Sequence, residues 1–132
     1  MLVILVLDGF TKFPKTQYMN YLVDIEDVKF NLFEFLTVGN AELYNLVFDE
    51  SLKFAQNVMA PLNASGDREG CSLKDGTVTT PKGFKEAYKA YSENGYIGMD
   101  VPETYGGQSL PVTITLVANE FFMGANYSLS MY

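Results

Sequence analysis

Apolar residues recur along this chain at the three-to-four spacing of helices, broken by two stretches rich in turn-forming residues. Asp24 can cap a helix in which Ile25, Val28, Leu32, Phe35 and Leu36 keep that spacing until Gly39 offers a stop. A second, longer helix is expected over 41–60. There Leu43, Val47, Phe54 and Val58 share a face with Leu46, and Glu42, Asp49, Glu50 and Lys53 point elsewhere. Pro61, which lacks an N–H and crowds the preceding turn, predicts its end. Residues 61–79 read as a loop through Asn63, Ser65, Gly66, Asp67, Gly70, Asp75 and Gly76, in which Asp75-Gly76 between Leu73 and Val78 could close a tiny hairpin.

A third helix should start with Thr80 as N-cap and Pro81 at the first helical position, and end where Gly95 takes a left-handed turn. Its apolar stripe is Phe84, Ala87, Tyr88 and Tyr91. After a glycine-punctuated loop, Pro111 suits another first helical position. Residues 112–123 are apolar on nearly every side, the mark of an interior helix. Leu129 and Met131 begin a further element. The pattern contains no repeat or low-complexity segment and predicts an all-α helical bundle of four to five helices with little strand.

At 132 residues with 48% apolar residues, the chain is large and greasy enough to bury a core. A net charge of −7, with 9 scattered Lys and Arg, argues against a nucleic-acid partner. The absence of histidine removes imidazole zinc sites, Ser-His-Asp triads and Cys-His nucleophiles from this chain's repertoire. One cysteine, Cys71, excludes an internal disulfide and fits a reducing compartment. The apolar run Met1 to Leu7 is too short to be a transmembrane segment, which needs about 20 apolar residues, and lacks the basic start of a signal peptide. It reads as a strand-like segment or an unnatural start.

The motif T-P-x-G-F-K-x-A-Y from Thr80, G-Y-x-G-M from Gly95 and P-E-x-Y-G-G from Pro102, preceded by Pro61-Leu62-Asn63 and Gly66-Asp67, resembles the amino-terminal helical domain of acyl-CoA dehydrogenases. The resemblance runs over 21–132 and leaves 1–20 outside it. Within the family it is most similar to the longer enzymes acting on short or modified acyl chains, the methylmercaptopropionyl-CoA dehydrogenase type among them. The resemblance implies an incomplete domain, truncated at its carboxy-terminal end, of an enzyme that performs α,β-dehydrogenation of an acyl-CoA thioester. FAD would be the cofactor, an electron-transfer flavoprotein the acceptor, a homo-oligomer the assembly and the bacterial cytoplasm the location, with the mitochondrial matrix as the alternative. The family's catalytic base and flavin-binding motifs lie in domains that have no counterpart here, so no catalytic residue is expected in this chain and no tight binding of FAD.

Asn126, Ser128, Ser130 and Tyr132 enter the region that lies against thioester and flavin in the family, which makes them the substrate-pocket candidates; capping and turn formation is an equal reading. Glu120, inside the apolar fourth helix, is expected to be buried and met by a structural partner. Asp67 and Glu69 read as solvated loop charges, the aromatics as core, and the glycines at 95, 98, 106 and 107 as turn-makers rather than a dinucleotide fingerprint. Cys71 has no neighbouring histidine or metal-ligand pattern. A non-catalytic acidic helical interaction module is the alternative to the enzyme. A large exposed apolar patch would favour the enzyme, and a surface closed with charge would favour the module.

Overall fold

Residues 23–132 are described in the computed structural model; the apolar run Met1 to Leu7 lies outside them. Helix α1, Ile25–Lys29, starts where the Asp24 carboxylate accepts hydrogen bonds from the backbone N–H groups of Glu26 (3.1 Å) and Asp27 (3.3 Å). It runs into a π-helical segment, Phe30–Phe35. A π turn carries more residues per revolution than an α turn, so positions counted at the α period drift off the inner face. Leu32 is buried and Phe33 half-buried, whereas Phe35 and Leu36, expected inside, are 73% and 55% exposed.

Helix α2, Ala41–Phe54, buries Tyr44, Phe48, Ser51 and Phe54. The inward stripe is therefore displaced from the one the sequence pattern suggests, and Leu43 and Leu46 are exposed. The large rings decide the matter: Phe48 meets Phe121 edge-on at 6.0 Å and Phe54 meets Phe122 edge-on at 6.0 Å.

The helix does not stop at Pro61, and 61–69 is not a loop. A second π-helical segment, Ala55–Met59, leads into α3, Ala60–Glu69. The Ala60 N–H donates five residues back, to the Ala55 carbonyl, and Pro61 then falls in the first turn of α3, where a missing N–H is tolerated. The wide turn thus absorbs a proline that would break a regular helix.

Strands β1, Ser72–Lys74, and β2, Thr77–Thr79, form the antiparallel hairpin, Leu73 opposite Val78, closed by Asp75 and Gly76 at φ 50° and 76°. Helix α4, Phe84–Glu93, begins three residues later than a Thr80 cap would place it. Pro81, Lys82 and Gly83 instead form a turn, in which the Phe84 N–H donates to the Pro81 carbonyl at 3.1 Å and the Lys82 N–H to Glu69 Oε2 at 3.0 Å. Gly83, at φ 88°, is pressed so close to Leu62 that a Cβ would lie 2.8 Å from its Cδ2. The expected stop is in place, with Gly95 left-handed at φ 80°.

The loop after Gly95 carries 3₁₀ turns Tyr96–Gly98 and Glu103–Tyr105 and folds back on itself. Backbone N–H groups of Gln108, Ser109 and Leu110 donate to the carbonyls of Gly98 (2.9 Å), Val101 (2.9 Å) and Met99 (2.7 Å). Gly107 lies so close to the Val101 carbonyl that any side chain would run into it. Helix α5, Val112–Ala125, starts one residue after Pro111, and the short α6, Tyr127–Ser130, follows. Among the described residues the result is a helical bundle with one small ribbon, in which α2 and α5 form the main pair around one apolar core.

An apolar cleft between α4, α5 and α6

Helix α5 buries Ile114, Thr115, Ala118, Phe121, Phe122 and Ala125 against the rest of the bundle. Its opposite side is also apolar, yet uncovered: Val112 is 59%, Leu116 62% and Met123 43% exposed. Leu116 and Met123, with Tyr88 of α4, Ile97 and the segment after α6, Met131 and Tyr132, line a cleft of about 830 Å³. That size suits a small-molecule chain.

The floor is aromatic. Phe122 lies 5.1 Å from Tyr91 and 4.9 Å from Tyr96, and Phe54 lies 6.0 Å and 5.1 Å from the same two rings. Tyr96 donates to the Glu50 carbonyl at 3.2 Å. Burial first, then the charge of Glu50, holds the Tyr96 phenol above its usual pKa; burial first, then Tyr88, does so for Tyr91. Both phenols are therefore neutral packing groups.

Glu120 is exposed, contrary to the expectation of a buried, partnered carboxylate, because it projects from the uncovered side of α5 beside Leu116 and Met123. Asn119 and Glu120 supply polar groups to the cleft, and Glu120 is the one side-chain carboxylate in its lining among the described residues. Neither an acid–base pair nor a nucleophile with a base is assembled there. No group of three His, Cys, Asp or Glu side chains that could hold a metal occurs among the described residues.

Of the four pocket candidates, Ser130 and Tyr132 line the cleft. Ser128 is exposed and outside the lining, and Asn126 is fully buried behind it. The Tyr132 ring stands edge-on to Phe84 at 6.2 Å, and its hydroxyl lies 3.3 Å from Cys71 Sγ. That hydrogen bond is the main cause raising the Tyr132 pKa. Cleft residues that the sequence pattern left as core, Tyr88, Leu116 and Met123, announce themselves only in the spacing 116, 120, 123, which sets a carboxylate on an apolar stripe.

Among the described residues, no Lys or Arg lines the cleft. It can desolvate an uncharged alkyl chain, but it has no cation to meet the diphosphate of FAD or the phosphates of coenzyme A. The residues that line it therefore suit an uncharged apolar group and do not fit the cofactor.

Residues 44–132 fit the family model for the acyl-CoA dehydrogenase N-terminal domain. The chain belongs to the acyl-CoA dehydrogenase family. It is similar to a 3-methylmercaptopropionyl-CoA dehydrogenase of Ruegeria pomeroyi, with 27% identity over 124 residues that cover 86% of this chain and 21% of that protein. The chain thus spans about a fifth of the curated relative it matches. Among the described residues, no helix is long and apolar enough to cross a membrane.

Proposed function

We propose that this chain is the amino-terminal wall of the acyl pocket in an FAD-dependent acyl-CoA dehydrogenase acting on a short or modified acyl thioester. The uncovered apolar face of α5, opposite the closed core of the same helix, carries the reading. Leu116, Met123 and Tyr88 would take the acyl chain out of water, which stabilises binding in proportion to the apolar area removed. Tyr91 and Phe122 form a rigid floor that fixes how deep the chain can reach. Aromatic rings such as Tyr88, Tyr91 and Phe122 also make favourable contacts with a thioether sulfur, the group named in the relative's substrate. The flavin, the catalytic base and the docking of an electron-transfer flavoprotein would fall to polypeptide outside these residues, in a cytoplasmic homo-oligomer.

The test uses the product of the whole reading frame that carries this chain, from start codon to stop. The purified protein should be yellow, and its flavin should bleach on anaerobic addition of a short acyl-CoA, with methylthio-substituted and plain chains compared. A colourless product, or bound flavin that no acyl-CoA reduces, overturns the enzyme in favour of an interaction module.

A further inference from the structure

We infer that Asn126 is a positioning residue that sets the mouth of the cleft, by tying the α5–α6 joint to the π-helical segment of the neighbouring helix. Its side chain is fully buried, and both ends of the carboxamide are engaged within the fold. Nδ2 donates to the Met59 carbonyl at 3.2 Å, across 67 residues of sequence, and Oδ1 accepts from the Leu129 N–H at 3.0 Å. The backbone at Asn126 leaves the helical region at φ −157°, its N–H donating back to the Phe122 carbonyl at 3.0 Å and its carbonyl accepting from the Ser130 N–H at 3.0 Å. One residue therefore ends α5, caps α6 and bolts both to Met59.

The residues carried past this joint, Ser130, Met131 and Tyr132, line the cleft, as do Met59 and Leu129. The aim of α6 is set at its start by the tether and the buried Leu129, and beyond its end by Tyr132 against Phe84 and Cys71. The inference rests on the proposed acyl-binding role of the cleft and adds a residue that would shape it without touching the ligand.

Two variants separate the cap from the tether in the product of the whole reading frame. Asn126→Ser keeps an oxygen able to accept from the Leu129 N–H but is too short to reach the Met59 carbonyl; Asn126→Ala removes both bonds. For Asn126→Ser, KM for the acyl-CoA should rise roughly tenfold with kcat within about twofold, the loss of about one net hydrogen bond's worth of ground-state order. Amide exchange at Leu129 and Ser130 should quicken while that at Phe48 stays slow, and Asn126→Ala should exaggerate both effects. An unchanged KM in both variants overturns the inference, as does exchange that rises equally at Phe48, which marks a purely structural role. If the wild-type protein turns over no acyl-CoA, the proposed function falls. The tether is then judged by exchange alone, and unchanged protection of Leu129 and Ser130 in Asn126→Ser overturns it.

Discussion

Helices α2 and α5 have the same length, 14 residues, and pack against each other, yet their outer faces differ. Outside its buried stripe, α2 exposes Glu42, Asp49, Glu50 and Lys53 among a few leucines, and an ion pair joins Lys53 to Glu50 at 2.6 Å. On α5 the outer stripe is Val112, Leu116 and Met123, with Glu120 as its single charge. The α2 surface is built to meet water, whereas the α5 surface is built to be covered. Exposed apolar area of this kind marks a binding or docking surface, and here it coincides with the cleft between α4, α5 and α6.

The comparison is sharpest where a single side chain is removed from each face of α5. Phe121→Ala, on the inner face against Phe48, should lower unfolding stability by about 3–5 kcal/mol, as for other buried aromatics cut to alanine. Denaturant titration with an unchanged m-value measures it.

A smaller effect comes from the aromatic cluster packed beneath the cleft. The Tyr91 and Tyr96 phenols titrate above their ordinary value of 10.0, so the folded state keeps protons that the unfolded state has lost. Their stabilising contribution is full below that value and disappears as pH rises through the raised pKa values. Denaturant midpoints should hold to about pH 9 and fall toward about pH 11, and a Tyr91→Phe, Tyr96→Phe double variant should flatten the fall. A midpoint that declines equally in the double variant would assign the alkaline loss elsewhere.

The smallest stability change is expected from Leu116→Ser on the outer face, less than about 0.5 kcal/mol, since a residue 62% exposed has little burial to lose. The same variant should weaken acyl-CoA binding. If it unfolded the protein as readily as Phe121→Ala, the two faces would not differ and the cleft would be core.

Local chemistry made several features legible in advance. The Asp24 cap, the Gly95 stop, the Asp75-Gly76 hairpin and the extent of α5 all depend on neighbours within a few residues, as do the motifs that carry the family resemblance. Other features depended on distant partners. Pro61 reads as a terminator unless the π turn before it is known, and that turn has no signature at the α period. Thr80-Pro81 has the chemistry of a helix start, but the Glu69 carboxylate and Leu62 hold Gly83 in a turn that delays the helix. Glu120 was expected to be buried because α5 looked interior, when that helix has one side covered and one bare.

The π segment Ala55–Met59 has a further consequence for how this chain tolerates change in length. Excising any one of those residues would restore an ordinary α ladder and swing everything downstream about its axis by about 100°. Leu62 would leave Gly83, and the Met59 carbonyl would turn away from Asn126. The segment is a gearing tooth: its register, more than the identity of its side chains, keeps the two halves of the domain in mesh.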